Sequence, residues 1–150
     1  MKNKTIANEW LKRAKSNLEI AIIGKLSNEI LYEDLCFECQ QAVEKALKGF
    51  LIFIDIPFSK THSISYLIDM LESKGINMPD MVKEGVILTD YAVTTRYPGG
   101  YENVDEHKYK NAITLQRHLL SKRLIYAVTS INLKTCKPLI LHGLISQLSL

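Results

Sequence analysis

Apolar residues recur along most of this chain at the three- and four-residue spacing of helices, and nowhere does the two-residue alternation of a strand compete with them. From Asn8 to Ile23, Trp10, Leu11, Ala14, Leu18, Ala21 and Ile22 fall on one face, while Lys12, Arg13, Lys15 and Glu19 occupy the other. This predicts a first helix capped by Asn8 and ended by Gly24. The segment from Leu31 to Ile54 has no proline and a single glycine, Gly49, and it carries the widest apolar stripe: Leu35, Cys39, Ala42, Val43, Ala46, Leu47, Phe50 and Ile54. At roughly 1.5–3 kcal/mol per fully buried large side chain, this second helix is expected to contribute most to a core. Pro57 closes it.

"SKTHSISYLIDMLESKG" predicts a shorter third helix with Thr61 or Ser63 as cap, Ile64, Leu67, Met70 and Leu71 facing inward, and Gly75 as the stop. A fourth is expected from Pro79 to Ala92, with proline in its first turn and Met81, Val82, Val86 and Leu88 apolar. After "YPGG" a fifth runs from Asn103 to Tyr126, with Tyr109, Ala112, Ile113, Leu115, Leu119 and Ile125 available for the core. Short links between such helices predict an all-α fold, an antiparallel bundle of about five helices over residues 1–126. Residues 127–150 are rich in Leu and Ile but poorly patterned, and Pro138 and Gly143 interrupt them; they read as an atypical apolar tail.

A chain of 150 residues, 47% hydrophobic and 23% charged, suits one globular domain that needs no disulfide or metal to hold its core. Its three cysteines show no repeated pair spacing, which points to a reducing compartment. The opening "MKNKTIANEW" has no apolar core of signal-peptide length, and no apolar run approaches a membrane span, so a cytoplasmic location is expected. Net charge is only +3, but it is unevenly spread: residues 1–106 hold 12 Lys/Arg and all 16 Asp/Glu, whereas residues 107–150 hold 7 Lys/Arg and no acid. A one-sign segment marks either an anion-binding face or a tail whose composition was never tuned to the fold. Nucleic acid is not indicated.

No Gly-rich phosphate loop, nucleophile elbow or His-Glu-x-x-His zinc motif is present, so the chain has no local catalytic signature, and neither metal nor cofactor is expected. "CFEC", Cys36 to Cys39, lies mid-helix without a second pair and reads as core packing. In "FECQQAVEKALKGFL", Gln40, Glu44 and Lys48 share one helical line, with Gln41 and Lys45 on the next, and Glu44 stands four residues before Lys48 in the favourable order. The line is either an exposed polar face or a set of side chains lining a cleft or bonding across a helix–helix interface. His62, just before the third helix, either caps backbone amides or faces a cleft. Arg96, at the end of "DYAVTTR", bonds the last carbonyls of the fourth helix, receives a phosphate with Tyr91 or Tyr97 stacking on a base, or makes a dimer contact.

Taken in order, "FECQQAVEKALKGFL", "KTHSISYLIDML" and "YAVTTRYPGG" resemble the HEPN domain family, the higher eukaryotes and prokaryotes nucleotide-binding domain, over residues 6–126. The resemblance implies a five-helix bundle that forms a homodimer. It also implies a nucleotide-binding cleft and, as partner, a minimal nucleotidyltransferase in a two-component, toxin–antitoxin-like module. Carried over by position, the ligand-binding candidates are Gln41, Glu44, Lys45, Lys48, His62, Tyr91, Arg96 and Tyr97, with Gln40, Thr61 and Pro98 matching the same motifs. Ribonuclease members of the wider family carry Arg and His four to six residues apart. None of Arg13, Arg96, Arg117 and Arg123 is followed by a histidine at that separation, so the resemblance is to the non-nuclease type and no catalytic residue is expected. The alternatives are a ribonuclease toxin using an unconventional Arg96/His107 or Arg96/His62 pair, and a purely structural dimerisation module.

Overall fold

A computed structural model describes residues 2–78, 80–90 and 103–119. They form five α-helices: α1 (Lys2–Ile23), α2 (Tyr32–Phe53), α3 (Ile64–Glu72), α4 (Asp80–Glu84) and α5 (Glu106–Leu119), with a 3-10 turn over Gly85–Leu88 following α4. Among the described residues there is no strand, and no helix is long and apolar enough to cross a membrane. Tyr91, Arg96, Tyr97, Pro98 and the 127–150 tail lie outside the described residues.

Helices α1 and α2 form an antiparallel hairpin around the link of residues 24–31. The pairing can be followed along its length: Asn3 Nδ2 donates to Asp55 Oδ1 at 2.8 Å, and Lys45 Nζ donates to Asn17 Oδ1 at 2.6 Å. Between these contacts the backbones meet at Gly49, where an added Cβ would stand 3.1 Å from Trp10 Cβ and 3.2 Å from the carbonyl oxygen of Ala7. That approach explains why the one glycine of α2 sits where it does. It also corrects the expected start of α1. Asn8 is an interior residue, because fully buried Ala7 packs at the crossing and Asn3 bonds the far end of α2.

Helix ends follow local chemistry. Gly24 takes φ +73 after α1, and Gly75 takes φ +78 after α3, the left-handed conformation glycine adopts at little cost. At the end of α2 the same position is held by Asp55 at φ 62, a residue whose short polar side chain tolerates it. Ser63 caps α3, its Oγ accepting from Tyr66 N at 3.2 Å, while Thr61 Oγ1 accepts from Ser63 N. α5 starts at Glu106 rather than Asn103 because Asp105 Oδ1 takes the Lys108 N–H at 2.8 Å. The expected fourth helix is interrupted after Glu84 and is α-helical again at Thr89 and Asp90. Gly85 and the β-branched pair Val86–Ile87 tighten the chain between them into 3-10 geometry.

The core gathers Cys36, Cys39, Val43, Leu47 and Leu51 of α2 against Ile64, Leu67, Ile68 and Leu71 of α3, with Leu88, Val104 and Ala112 closing the other side. α5 is fastened over the α1–α2 link. Tyr109 stacks on Tyr32 with ring centroids 5.3 Å apart, and its hydroxyl donates to the carbonyl of Ala21 at 2.7 Å. Cys36 and Cys39 are fully buried, as core packing requires. Burial, reinforced by the Glu33 carboxylate, pushes the Cys36 thiol up to about 12, and burial raises Cys39 as well.

Candidate functional site

The line Gln40, Glu44, Lys48 does not form an exposed face. Gln40 is 0%, Glu44 3% and Lys48 6% exposed, and all three point toward the chain leading into α3. A charge buried on a helix must find partners, and here each does. Lys48 Nζ donates to Glu44 Oε1 at 2.7 Å, the predicted i,i+4 pair, and to the carbonyl of Thr61 at 2.6 Å. The same ammonium lies 5.6 Å from the Trp10 ring centroid and 6.0 Å from that of Phe58, so aromatic faces occupy its remaining side. Glu44 Oε2 accepts from Gln40 Nε2 at 2.8 Å and lies 3.2 Å from His62 Nδ1. Gln40 Nε2 also reaches the carbonyl of His62 at 3.2 Å, and its Oε1 accepts from Gln41 Nε2 at 2.8 Å.

The consequence is a clasp. Side chains on successive turns of α2 hold two consecutive carbonyls and one ring of the Thr61–His62 link. The ordinary cost of burying a carboxylate and an ammonium is offset because nearly every donor and acceptor is used. Only His62 reaches well into solvent, its side chain being 56% exposed.

Of the candidates named from sequence, the structure brings together Gln41, Glu44, Lys48 and His62. It separates Lys45, which lies on the α1 flank and donates to Asn17, whose amide in turn bonds the Glu38 carboxylate. Gln40, outside the candidate ligand set, proves central to the cluster; its i,i+4 spacing to Glu44 was the available signal. Trp10 and Phe58 were not foreseen as neighbours of Lys48, since no local pattern connects them. His107, one of the two histidines paired with Arg96 in the nuclease alternative, is exposed and lies 3.4 Å from Asn111 on its own helix.

Among the described residues no three His, Cys, Asp or Glu side chains converge to hold a metal ion. What the cluster presents to solvent is a hydrogen-bonded polar floor with one exposed imidazole. One further polar side chain is buried without using its capacity. Gln116 of α5 is 0% exposed, and among the described residues neither its amide nitrogen nor its oxygen has a hydrogen-bond partner.

Neither the curated proteins nor the solved structures include a match to this chain. The family model described as the HEPN domain matches residues 7–124. The match spans most of the described helices, both stretches that form the clasp and the segment containing Arg96, and the chain therefore belongs to the HEPN domain family.

Proposed function

We propose that this chain is a dimeric, cytoplasmic, helical binding protein that takes a nucleotide beside α2. It works as partner of a minimal nucleotidyltransferase in a two-component, toxin–antitoxin-like module and does little chemistry itself. Membership of the HEPN family supports nucleotide binding in general. The observation that carries the reading is the convergence of the α2 motif and the Thr61–His62 motif in one polar cluster whose outer member is open to solvent. In this reading Gln41 and His62 meet the ligand, Glu44, Lys48 and Gln40 hold them in place, and Lys45 adds positive charge from the α1 side. Arg96 supplies the guanidinium fork for phosphate, and Tyr91 or Tyr97 stacks on the base.

The test is calorimetric titration of the purified protein with adenine and guanine nucleotides, beside the Arg96→Ala variant. Micromolar binding that disappears in a folded variant supports the reading; no binding across the panel refutes it. The Glu44–His62 contact also favours one form of the nuclease alternative, Arg96 with His62 rather than with His107, because the His62 ring contacts a buried carboxylate whereas the His107 ring contacts the Asn111 amide. That alternative requires growth arrest and RNA cleavage on expression, both relieved by Arg96→Ala. Intact cellular RNA after strong expression removes it.

A further inference from the structure

His62 is held more firmly than an exposed histidine needs to be. Gln40 Nε2 bonds its carbonyl at 3.2 Å, Lys48 Nζ bonds the preceding carbonyl at 2.6 Å, and Glu44 Oε2 sits 3.2 Å from Nδ1. Yet the side chain is 56% exposed, so the contact with Glu44 buries little of the ring. Glu44 is already bonded by Lys48 on Oε1 and by Gln40 on Oε2, so the carboxylate does not need the imidazole to satisfy it. What the contact fixes is the tautomer of the neutral ring. A carboxylate paired with an ammonium only accepts, so in the neutral imidazole the proton sits on Nδ1 and the lone pair on Nε2. The Nδ1 edge faces the buried carboxylate, which leaves the edge carrying Nε2 as the exposed one.

We propose that His62 presents Nε2 as a fixed hydrogen-bond acceptor for a neutral O–H or N–H donor of the bound nucleotide, a sugar hydroxyl or an exocyclic amine, and not as a cationic contact to its phosphate. The inference rests on the nucleotide-binding reading and adds the atom, its tautomer and the ligand group it takes. Two features support it. Glu44 and Lys48 cancel in charge, so the floor under His62 gives a phosphate no net attraction. An acceptor whose tautomer and backbone are set beforehand also loses less freedom on binding than a mobile side chain does. Glu44, Lys48 and Gln40 are then positioning residues for His62.

The tautomer is read in the free protein by nitrogen–proton correlation NMR of the imidazole rings at pH 8, with His62 identified by the signal missing from His62→Phe. The expected result is the Nδ1–H form for His62, shifting toward Nε2–H in Glu44→Gln. A predominant Nε2–H form in the wild-type protein overturns the inference, whether or not Glu44→Gln folds. Calorimetry then compares adenosine 5′-monophosphate, its 2′,3′-dideoxy analogue and purine riboside 5′-monophosphate, which lacks the amine. His62→Phe is expected to weaken adenosine 5′-monophosphate roughly three- to tenfold, the worth of one neutral hydrogen bond. The loss should be insensitive to added salt, unlike that of a phosphate contact. The analogue lacking the donor that meets His62 should bind the wild-type protein as weakly as the variant binds the parent nucleotide. Unchanged affinity in His62→Phe, or a loss that salt abolishes, overturns the inference while leaving nucleotide binding intact. Absence of binding by all three compounds and by the wider panel of adenine and guanine nucleotides, with the Nδ1–H form observed, refutes the nucleotide reading and the assigned donor with it.

Discussion

Replacing Lys48 by methionine separates a structural ion pair from an ornamental one. Methionine keeps the length of the stem while removing the ammonium that faces Trp10 and Phe58. An exposed i,i+4 pair is worth about 0.3–0.5 kcal/mol, so its loss would scarcely register. Here both partners are buried, at 6% and 3% exposure, and the substitution leaves the Glu44 carboxylate with Gln40 and His62 alone and the Thr61 carbonyl without its donor. Breaking a buried pair from one side costs about 3–5 kcal/mol. The exposed His62 edge lets water approach Glu44 Oε2, so the lower end of that range, about 3 kcal/mol, is expected. With a urea m-value near 2 kcal/mol/M this lowers the unfolding midpoint by about 1.5 M. The assay is urea unfolding followed by circular dichroism, at one protein concentration so that association does not enter the comparison. The double variant Glu44→Gln/Lys48→Met removes both charges, and its cost should fall to about 1 kcal/mol, the unpaired Thr61 carbonyl remaining. The two sites must therefore be strongly coupled. A loss below 1 kcal/mol in Lys48→Met, or additive losses in the double variant, would refute the description of this cluster as a buried clasp.

Three other expectations follow from single contacts. Gly49→Ala gains about 1 kcal/mol of helix propensity but drives its Cβ against Trp10 Cβ and the Ala7 carbonyl at 3.1 and 3.2 Å, of which the backbone oxygen cannot swing aside. Thermal unfolding should show a net loss of roughly 1 kcal/mol. Gln116→Met replaces an unpartnered buried amide by an apolar side chain of similar shape, and urea unfolding should report a gain of about 1–2 kcal/mol; a loss would mean the amide is bonded after all. The carboxyl of Asp105 is held below its ordinary 3.8, first by the Lys108 backbone N–H and then by nearby cationic groups. Its contribution is therefore present above about pH 4 and lost as pH falls through the lowered value. Asp105→Asn keeps the cap without the charge, so the gap in melting temperature between wild type and variant should be open at pH 6 and closed at pH 2.

Much of this fold was legible from the order of apolar residues. The bounds of α2, a cap of α3 at Thr61 or Ser63, the Gly24 and Gly75 stops and the burial of Cys36 and Cys39 all follow from local pattern, because the same residues that set the backbone also set the face. The beginning of α1 was not legible. Its first turn is ordered by Asn3 reaching Asp55 and by Ala7 meeting Gly49, contacts that span the hairpin and leave no periodic trace. The polar line of α2 illustrates the same limit in the candidate site. Gln, Glu and Lys at four-residue spacing look alike whether they face water or a neighbouring chain. What decides between the two here is the pair of Thr61 and His62 carbonyls, which any residue would have carried. Sequence named His62 and Glu44 as members of one site but had no means to name the atoms that join them.

The Tyr109 hydroxyl on the Ala21 carbonyl has a consequence for the order of folding. The bond joins residues 88 apart, whereas the α1–α2 hairpin closes around a link of only residues 24–31. Loop closure favours the hairpin first, so the tyrosine latch forms after the rate-limiting barrier has been crossed. Removing it with Tyr109→Phe should leave the refolding rate nearly unchanged and accelerate unfolding, a φ-value near zero, provided the equilibrium loss exceeds about 0.6 kcal/mol. The latch then sets how long the bundle stays shut rather than how quickly it forms.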